Sequence, residues 1–246
     1  MISPSPILDV AIMEGPPPTV RLIGQIDFRN RLRVSDVFDG LLADGDCDIR
    51  ADLSGVSFID SSGLSTLVRC ATDAMERGGA IELIGISPQA ARVVTLCGAA
   101  AFFRSNIPDM PVCSEFDGAM PSRNFWHVSD FHIPARPESA AMARNRIADV
   151  LTSLPFSRAE STDILLAVGE ALANAIKHGC NYCADKNVSV RCVAGPARLS
   201  IDITDPGPGF DPEQVAKPVP NSLAEGGMGI FMMRSLVDEV SFAFGE

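Results

Sequence analysis

The sequence predicts a two-domain α/β protein. Strand-period and helix-period segments alternate through both halves of the chain, and a stretch without any sustained period separates the halves. The length, 246 residues, is enough for two ordinary hydrophobic cores. The first domain is expected over residues 1–110, a linker over 111–125 and the second domain over 126–246.

In the first half, residues 20–26 run apolar as a strand that Asp27 breaks. Residues 32–42 place Val34, Val37, Phe38, Leu41 and Leu42 at helical spacing. Residues 48–53 form a short buried strand, and residues 62–75 a helix stopped by Gly78-Gly79. A strand over 80–84 and a helix over 88–97, ended by Gly98, complete the layer. Pro108, Pro111, Gly118 and Pro121 then punctuate a polar stretch, the signature of a linker. The second half opens with a strand over 126–133, a helix from Pro137 to about Leu151 and another over 161–178. Strands over 188–193 and 199–204 flank a Gly195-Pro196 turn. After a Gly/Pro-rich loop come a helix over 229–236 and a last strand over 239–244.

Composition excludes several function classes. The formal net charge of -11, with no dense Lys/Arg stripe, disfavours direct nucleic-acid binding. No run of eighteen apolar residues exists, so no membrane span is expected, and the N-terminus lacks the basic start of a secretory signal. Seven scattered cysteines fit reduced thiols, and a cytoplasmic location is expected.

The chemistry concentrates in the second half. On the helix of residues 161–178, Glu170 and Asn174 lie four apart and share one side. A carboxylate and a carboxamide stacked in this way suit a hard cation such as Mg²⁺ beside a phosphate. Alone, E-x-x-x-N is far more often a surface glutamate and a helix-interior asparagine. Asp205-Pro206-Gly207-Pro208-Gly209-Phe210 follows an apolar strand directly. Its glycines permit close backbone approach to a planar ligand, and Asp205 can accept a hydrogen bond from an exocyclic amine such as that of adenine. Standing alone, it is a strand-to-loop turn. Glu225-Gly226-Gly227-Met228-Gly229 precedes a helix, where backbone N–H groups and the helix dipole favour phosphate. The three elements in this order form a specific signal for an ATP-Mg²⁺ site.

From about Trp126 onward the chain resembles the ATP-binding fold shared by gyrase, histidine kinases and mismatch-repair ATPases, an α/β sandwich. Within that fold it is most similar to the anti-sigma-factor serine kinases. E-A-L-A-N-A-I-K-H-G (170–179) resembles their N box, D-P-G-P-G-F (205–210) their G1 box and G-G-M-G-I-F-M-M (226–233) their G2 box. The resemblance implies Glu170 as general base and Asn174 as Mg²⁺ ligand. It implies nucleotide contacts from Asn174, His178, Asp205, Gly207, Gly209, Gly226, Gly227, Met228 and Gly229, under a lid over about 211–225.

Other readings of single residues stay open. His178 could be a base or a phosphoacceptor, or it could simply favour the negative helix end. His178, Cys180, Cys183 and Cys192 invite a zinc reading, although only one C-x-x-C clip is present. Glu138 and Arg144 could face a partner. The family's pattern closes its sheet with a further strand that is not found before Phe244-Gly245-Glu246, so either the sequence is truncated or the sheet ends early with an exposed edge.

In the first half, Phe58-Ile59-Asp60-Ser61-Ser62-Gly63-Leu64 joins an apolar strand to an amphipathic helix. Asp60 or Ser61 is placed to cap that helix, and a serine at a helix N-terminus can also carry phosphate. With G-Q-I-D (24–27), the strand of 48–53 and the Gly78-Gly79 strand entry, this region resembles the anti-sigma-factor antagonist (STAS) domain over about 6–107. In that family the serine after the aspartate, here Ser61, is the phosphorylated residue, with Ser62 beside it.

Kinase type and substrate type thus occur on one chain. The pair implies a cytoplasmic partner-switching regulator of transcription that uses ATP and Mg²⁺ to phosphorylate Ser61. A sigma factor or another regulatory protein is the expected partner. A separate STAS or kinase protein, or a second copy of the chain in a homo-oligomer, is also expected. The alternative is a non-catalytic module whose protein binding is gated by ATP.

Overall fold

The computed structural model describes residues 8–104, 127–194, 198–209 and 228–243. The expected linker, Trp126, the Gly195-Pro196 turn, Phe210, the lid region, Gly226, Gly227 and the chain end from Phe244 lie outside the described residues. The chain divides into two compact units, one holding the described residues 8–104 with Met228 and the other 127–194, 198–209 and 229–243, and each is α/β.

The first unit is a four-stranded sheet in the order β1-β2-β3-β4, formed by Asp9–Met13, Thr19–Ile26, Asp48–Ile59 and Ala80–Ile84. β1 is antiparallel to β2, whereas β2, β3 and β4 run parallel. Parallel neighbours require crossovers, and helices α1 (Arg31–Ala43) and α2 (Ser61–Glu76) supply them. Their apolar stripes meet the sheet: Val34, Phe38 and Leu42 on α1, and Leu64, Leu67 and Val68 on α2, are buried with Leu22, Ile26, Leu53 and Ile59. Helix α3 (Pro88–Leu96) is capped by Ser87, whose hydroxyl accepts from Ala90 N–H, and a short 3₁₀ turn, Ala99–Phe102, follows.

Two elements here were not legible. β1 is five residues long and mostly exposed, so it lacks the buried alternation that marks a strand. The strand expected over 48–53 continues to Ile59, because Val56, Phe58 and Ile59 stay buried past register shifts against β2 between Arg21 and Ile23 and between Gly24 and Gln25.

The turn from β2 into α1 and the turn from β3 into α2 are tied together. Asp60 is 2% exposed; one carboxylate oxygen accepts from Gly63 N–H at 2.8 Å, and the other accepts from Phe28 N–H at 3.0 Å. The cap is therefore Asp60, with Ser61 as the first helical residue. Asp27, wholly buried, accepts from the Arg29 backbone N–H at 3.0 Å and from its guanidinium at 2.8 Å. A Cβ on Gly63 would meet the Ile26 carbonyl oxygen at 2.7 Å, so only glycine lets α2 start this close to β2.

The second unit is an antiparallel sheet, β5-β6-β7, formed by His127–Pro134, Asn187–Ala194 and Leu199–Thr204. Helices α4 (Pro137–Leu151) and α5 (Arg158–Asn174) pack together and against the sheet. Pro137 stands in the first turn of α4, where a missing N–H costs nothing. Ser157 and Glu160 form a reciprocal capping box at the start of α5. The ring of Phe131 on β5 carries the Arg146 guanidinium 4.3 Å from its centroid. Helix α6 (Met228–Leu236) follows the glycine run.

Three expectations are corrected here. The helix expected over 161–178 begins at Arg158 and ends as an α-helix at Asn174, after which Ala175–Gly179 is a π turn. Residues 239–243 form no strand: their exposure alternates, but alternation without ladder hydrogen bonds does not make one, and Glu239 instead pairs with Arg198 at 3.3 Å. Arg144 does not face outward. It is 4% exposed, on the stripe of α4 that buries Ala140, Ala143, Ile147 and Leu151, whereas Glu138 is exposed.

The Asp60 tie predicts that Asp60→Ala costs about 2 kcal/mol, a lost helix cap plus an orphaned Phe28 N–H. Urea unfolding followed by circular dichroism checks this. A change under half that size would show that the two turns do not depend on the carboxylate.

Candidate functional site

In the second unit the site is built on the end of α5. From Leu166 to Ala173 the helix is buried nearly all round, with Leu166, Val168 and Leu172 on different sides of it, and Glu170 is 2% exposed among them. Glu170 is therefore not a surface glutamate. Asn174, one turn on, is half-buried. The start of α6 lies directly against both: a Cβ on Gly229 would stand 2.5 Å from Glu170 Oε2 and 3.7 Å from Asn174 Nδ2. The last glycine of the run thus lies against the carboxylate and beside the carboxamide.

A second contact lies one turn further along. The π turn adds a residue to the helical ladder, Cys180 N–H reaching Ala175 O at 2.8 Å. That extra residue delivers Gly179 to Asp205, at the end of β7. A Cβ on Gly179 would fall 2.0 Å from Asp205 Oδ1, and one on Gly207 would fall 2.6 Å from both Asp205 Oδ1 and the Gly179 Cα. Gly207 N–H also donates to Asp205 Oδ1 at 2.8 Å, which fixes the carboxylate orientation. Gly209 holds a φ of +74°, a backbone conformation natural to glycine. Asp205, Gly207 and Gly179 form one packed group, and every side chain but the carboxylate is absent from it.

The remaining expected residues are placed less tightly. Met228 is the first residue of α6 and is buried. Gly226 and Gly227 lie outside the described residues. His178 sits in the π turn on an exposed position. The covered part of its ring, and then the charge of Lys177, hold its pKa below the usual imidazole value. Among the described residues no group of three or more His, Cys, Asp or Glu side chains could hold a metal ion, so His178, Cys180, Cys183 and Cys192 do not form a zinc cluster. Mg²⁺ fits the donors at α5 better. It is a hard cation that keeps water and phosphate oxygens and needs only one or two protein oxygens, and the Asn174 carboxamide beside Glu170 offers these. Gly179 was not singled out as a site residue from sequence, although it closes the motif of 170–179; the signal was a glycine directly after a helix.

In the first unit, Ser61 and Ser62 occupy the first turn of α2, both half-buried. They begin a helix of sixteen residues, with Asp60 held in place behind them. No helix of the described residues is long and apolar enough to cross a membrane.

Comparison with known proteins agrees with this division. Residues 133–245 match the family pattern of the histidine kinase-like ATPase domain, and residues 10–114 match that of the STAS domain. Over 121 residues the chain is 32% identical to the serine-protein kinase RsbW of Bacillus subtilis, covering 45% of this chain and 74% of the relative. RsbW of Bacillus licheniformis is 34% identical over 118 residues, covering 44% and 72%. That of Listeria monocytogenes is 27% identical over 122 residues, covering 46% and 78%. The chain belongs to the family of RsbW-type serine-protein kinases, with a histidine kinase-like ATPase domain preceded by a STAS domain.

Proposed function

We propose that this chain is a partner-switching regulator in which the C-terminal domain transfers phosphate from ATP to Ser61 of a STAS domain, its own or that of a second copy. The observation that carries the reading is the contact of Gly229 with Glu170 and Asn174, which gathers two of the three motifs around one buried carboxylate. The kinase names of the relatives support the reaction type.

Asp205, fixed by Gly207, would accept from the amine of adenine, and the glycines of 226–229 would lie along the phosphates. Bound with the nucleotide and held at Asn174, Mg²⁺ would offset phosphate charge. Glu170 would take the proton of the serine hydroxyl as its oxygen bonds to the γ-phosphorus; the bond from that phosphorus to the bridging oxygen breaks, and ADP leaves. Phosphate on Ser61 adds about 1.5 to 2 negative charges at the N-terminus of α2, where the dipole favours them. The altered surface would change which partner the kinase domain holds, a sigma factor or another regulatory protein.

Incubation with ATP and Mg²⁺ followed by peptide mass spectrometry is expected to place phosphate on Ser61. Glu170→Ala should slow labelling by roughly 10²–10⁴, and Ser61→Ala should abolish it. Equal labelling after both Ser61→Ala and Ser62→Ala sinks the assignment. ATP binding that persists with no transfer in the wild type favours a gated binding module instead. Mixing Glu170→Ala chains with Ser61→Ala chains separates the routes, since only transfer between chains can label there.

The two glycine contacts predict separable defects. Gly179→Ala pushes on Asp205 and should weaken ATP binding about tenfold, the scale of one charge-assisted hydrogen bond, as read by titration calorimetry. Gly229→Ala pushes on Glu170 and should lower kcat more than affinity. The reverse pattern would mean that Asp205 and Glu170 have been assigned the wrong tasks.

A further inference from the structure

Directly after the π turn comes Cys180-Asn181-Tyr182-Cys183, which the nucleotide reading leaves unused. Backbone bonds pin it to the helix end: Cys180 N–H donates to Ala175 O at 2.8 Å and Tyr182 N–H to Ile176 O at 3.0 Å. Asn181 and Tyr182 both take positive φ, 52° and 56°, and Cys183 N–H donates to Cys180 O at 3.1 Å. This is a tight four-residue turn with two left-handed central residues. Such a turn holds its outer Cα atoms within about 7 Å, and a disulfide needs roughly 4.4–6.8 Å. Both cysteines are free thiols, Cys180 buried and Cys183 exposed. With no metal-holding cluster among the described residues, the chemistry open to this pair is that of a dithiol.

We propose that Cys180 and Cys183 form a reversible disulfide on exposure to a peroxide, and that this bond weakens nucleotide binding at the Asp205 end of the site. The second half of the proposal rests on the nucleotide reading above. The exposed Cys183 sulfur, as thiolate, attacks one peroxide oxygen; the O–O bond breaks, the departing oxygen takes a proton and leaves as water, and Cys183 becomes a sulfenic acid. The Cys180 sulfur then attacks the Cys183 sulfur. The S–S bond forms as the S–O bond breaks, and the hydroxyl leaves with the Cys180 proton as a second water. Two thiols and one peroxide give one disulfide and two waters, with sulfur oxidised and peroxide oxygen reduced.

Coupling to the nucleotide site follows from packing. Cys180 is bonded to Gly179, which lies so near Asp205 and Gly207 that neither glycine has room for a Cβ. Closing the bond draws the buried Cys180 sulfur toward Cys183 and shifts the backbone on which Asp205 rests. Burial, and then the negative charge of Asp205, hold the Cys180 thiol above its usual pKa, so the first attack falls to Cys183.

The test treats the full chain with hydrogen peroxide and reads two quantities. Trypsin cutting after Lys177 and Lys186 releases residues 178–186 with both cysteines. After treatment that peptide should lose two hydrogen atoms and resist alkylation. In parallel, affinity for a fluorescent ATP analogue should fall about tenfold, the scale of one charge-assisted hydrogen bond, and return with dithiothreitol. Cys183→Ser should show neither change. A peptide that stays alkylatable overturns the disulfide. Unchanged affinity in the oxidised chain, or the same loss in Cys183→Ser, overturns the coupling. Failure of the reduced chain to bind the analogue overturns the nucleotide reading instead, and the peptide mass still decides the disulfide.

Discussion

The candidate nucleotide site depends on side chains that are missing at three positions. Asp205 is held against Gly179 and Gly207, and Glu170 against Gly229, at distances that leave no room for a Cβ. Interiors are close-packed, and a single added methyl group there must displace something. At these three points what would be displaced is a carboxylate. The glycines therefore fix where two carboxyl groups point, the groups that in the proposed reaction receive an adenine amine and a serine hydroxyl.

That constraint explains the π turn. An α-helix continued beyond Asn174 would carry the next residues round at 3.6 per turn. The inserted residue of the π turn, closed by the bond from Cys180 to Ala175, brings Gly179 under Asp205 instead. π turns inside helices are uncommon and concentrate at functional sites. Here the irregularity joins the end of α5 to the end of β7, two elements that sheet pairing alone does not connect.

Much of the fold was legible because its signals are local. The strand over Ala80–Ile84, the helix from Pro137 to Leu151 and the strand over Leu199–Thr204 each carry their own period and their own stop residues. What was not legible depends on partners distant in sequence. β1 exists because β2 supplies its hydrogen bonds, and its own five mostly exposed residues do not announce it. The same distinction holds at the site. Glu170, Asn174 and Asp205 were readable as chemistry at a spacing, whereas the contact of Gly179 with Asp205 spans the whole of β6 and β7 and leaves only an unremarked glycine in the sequence. Arg144 shows the converse: its charge suggested the surface, but the stripe it shares with Ala140 and Ile147 took it inside.

The first unit repeats the logic with a carboxylate as anchor. Asp60 fixes two turns at once, one oxygen on the start of α2 and the other on Phe28. Gly63 lets that helix start against the Ile26 carbonyl. The next residue after the anchor, Ser61, thus sits at a helix terminus whose position is set from both sides and whose partial positive charge favours an added anion. Asp60 spends both its oxygens on backbone donors. Its own charge is therefore partly compensated before any phosphate arrives, and this lowers the repulsion that a phosphoryl group on the neighbouring serine would meet. The loop of residues 27–30 is tied to the same carboxylate through Phe28 and braced by the buried Asp27 with Arg29.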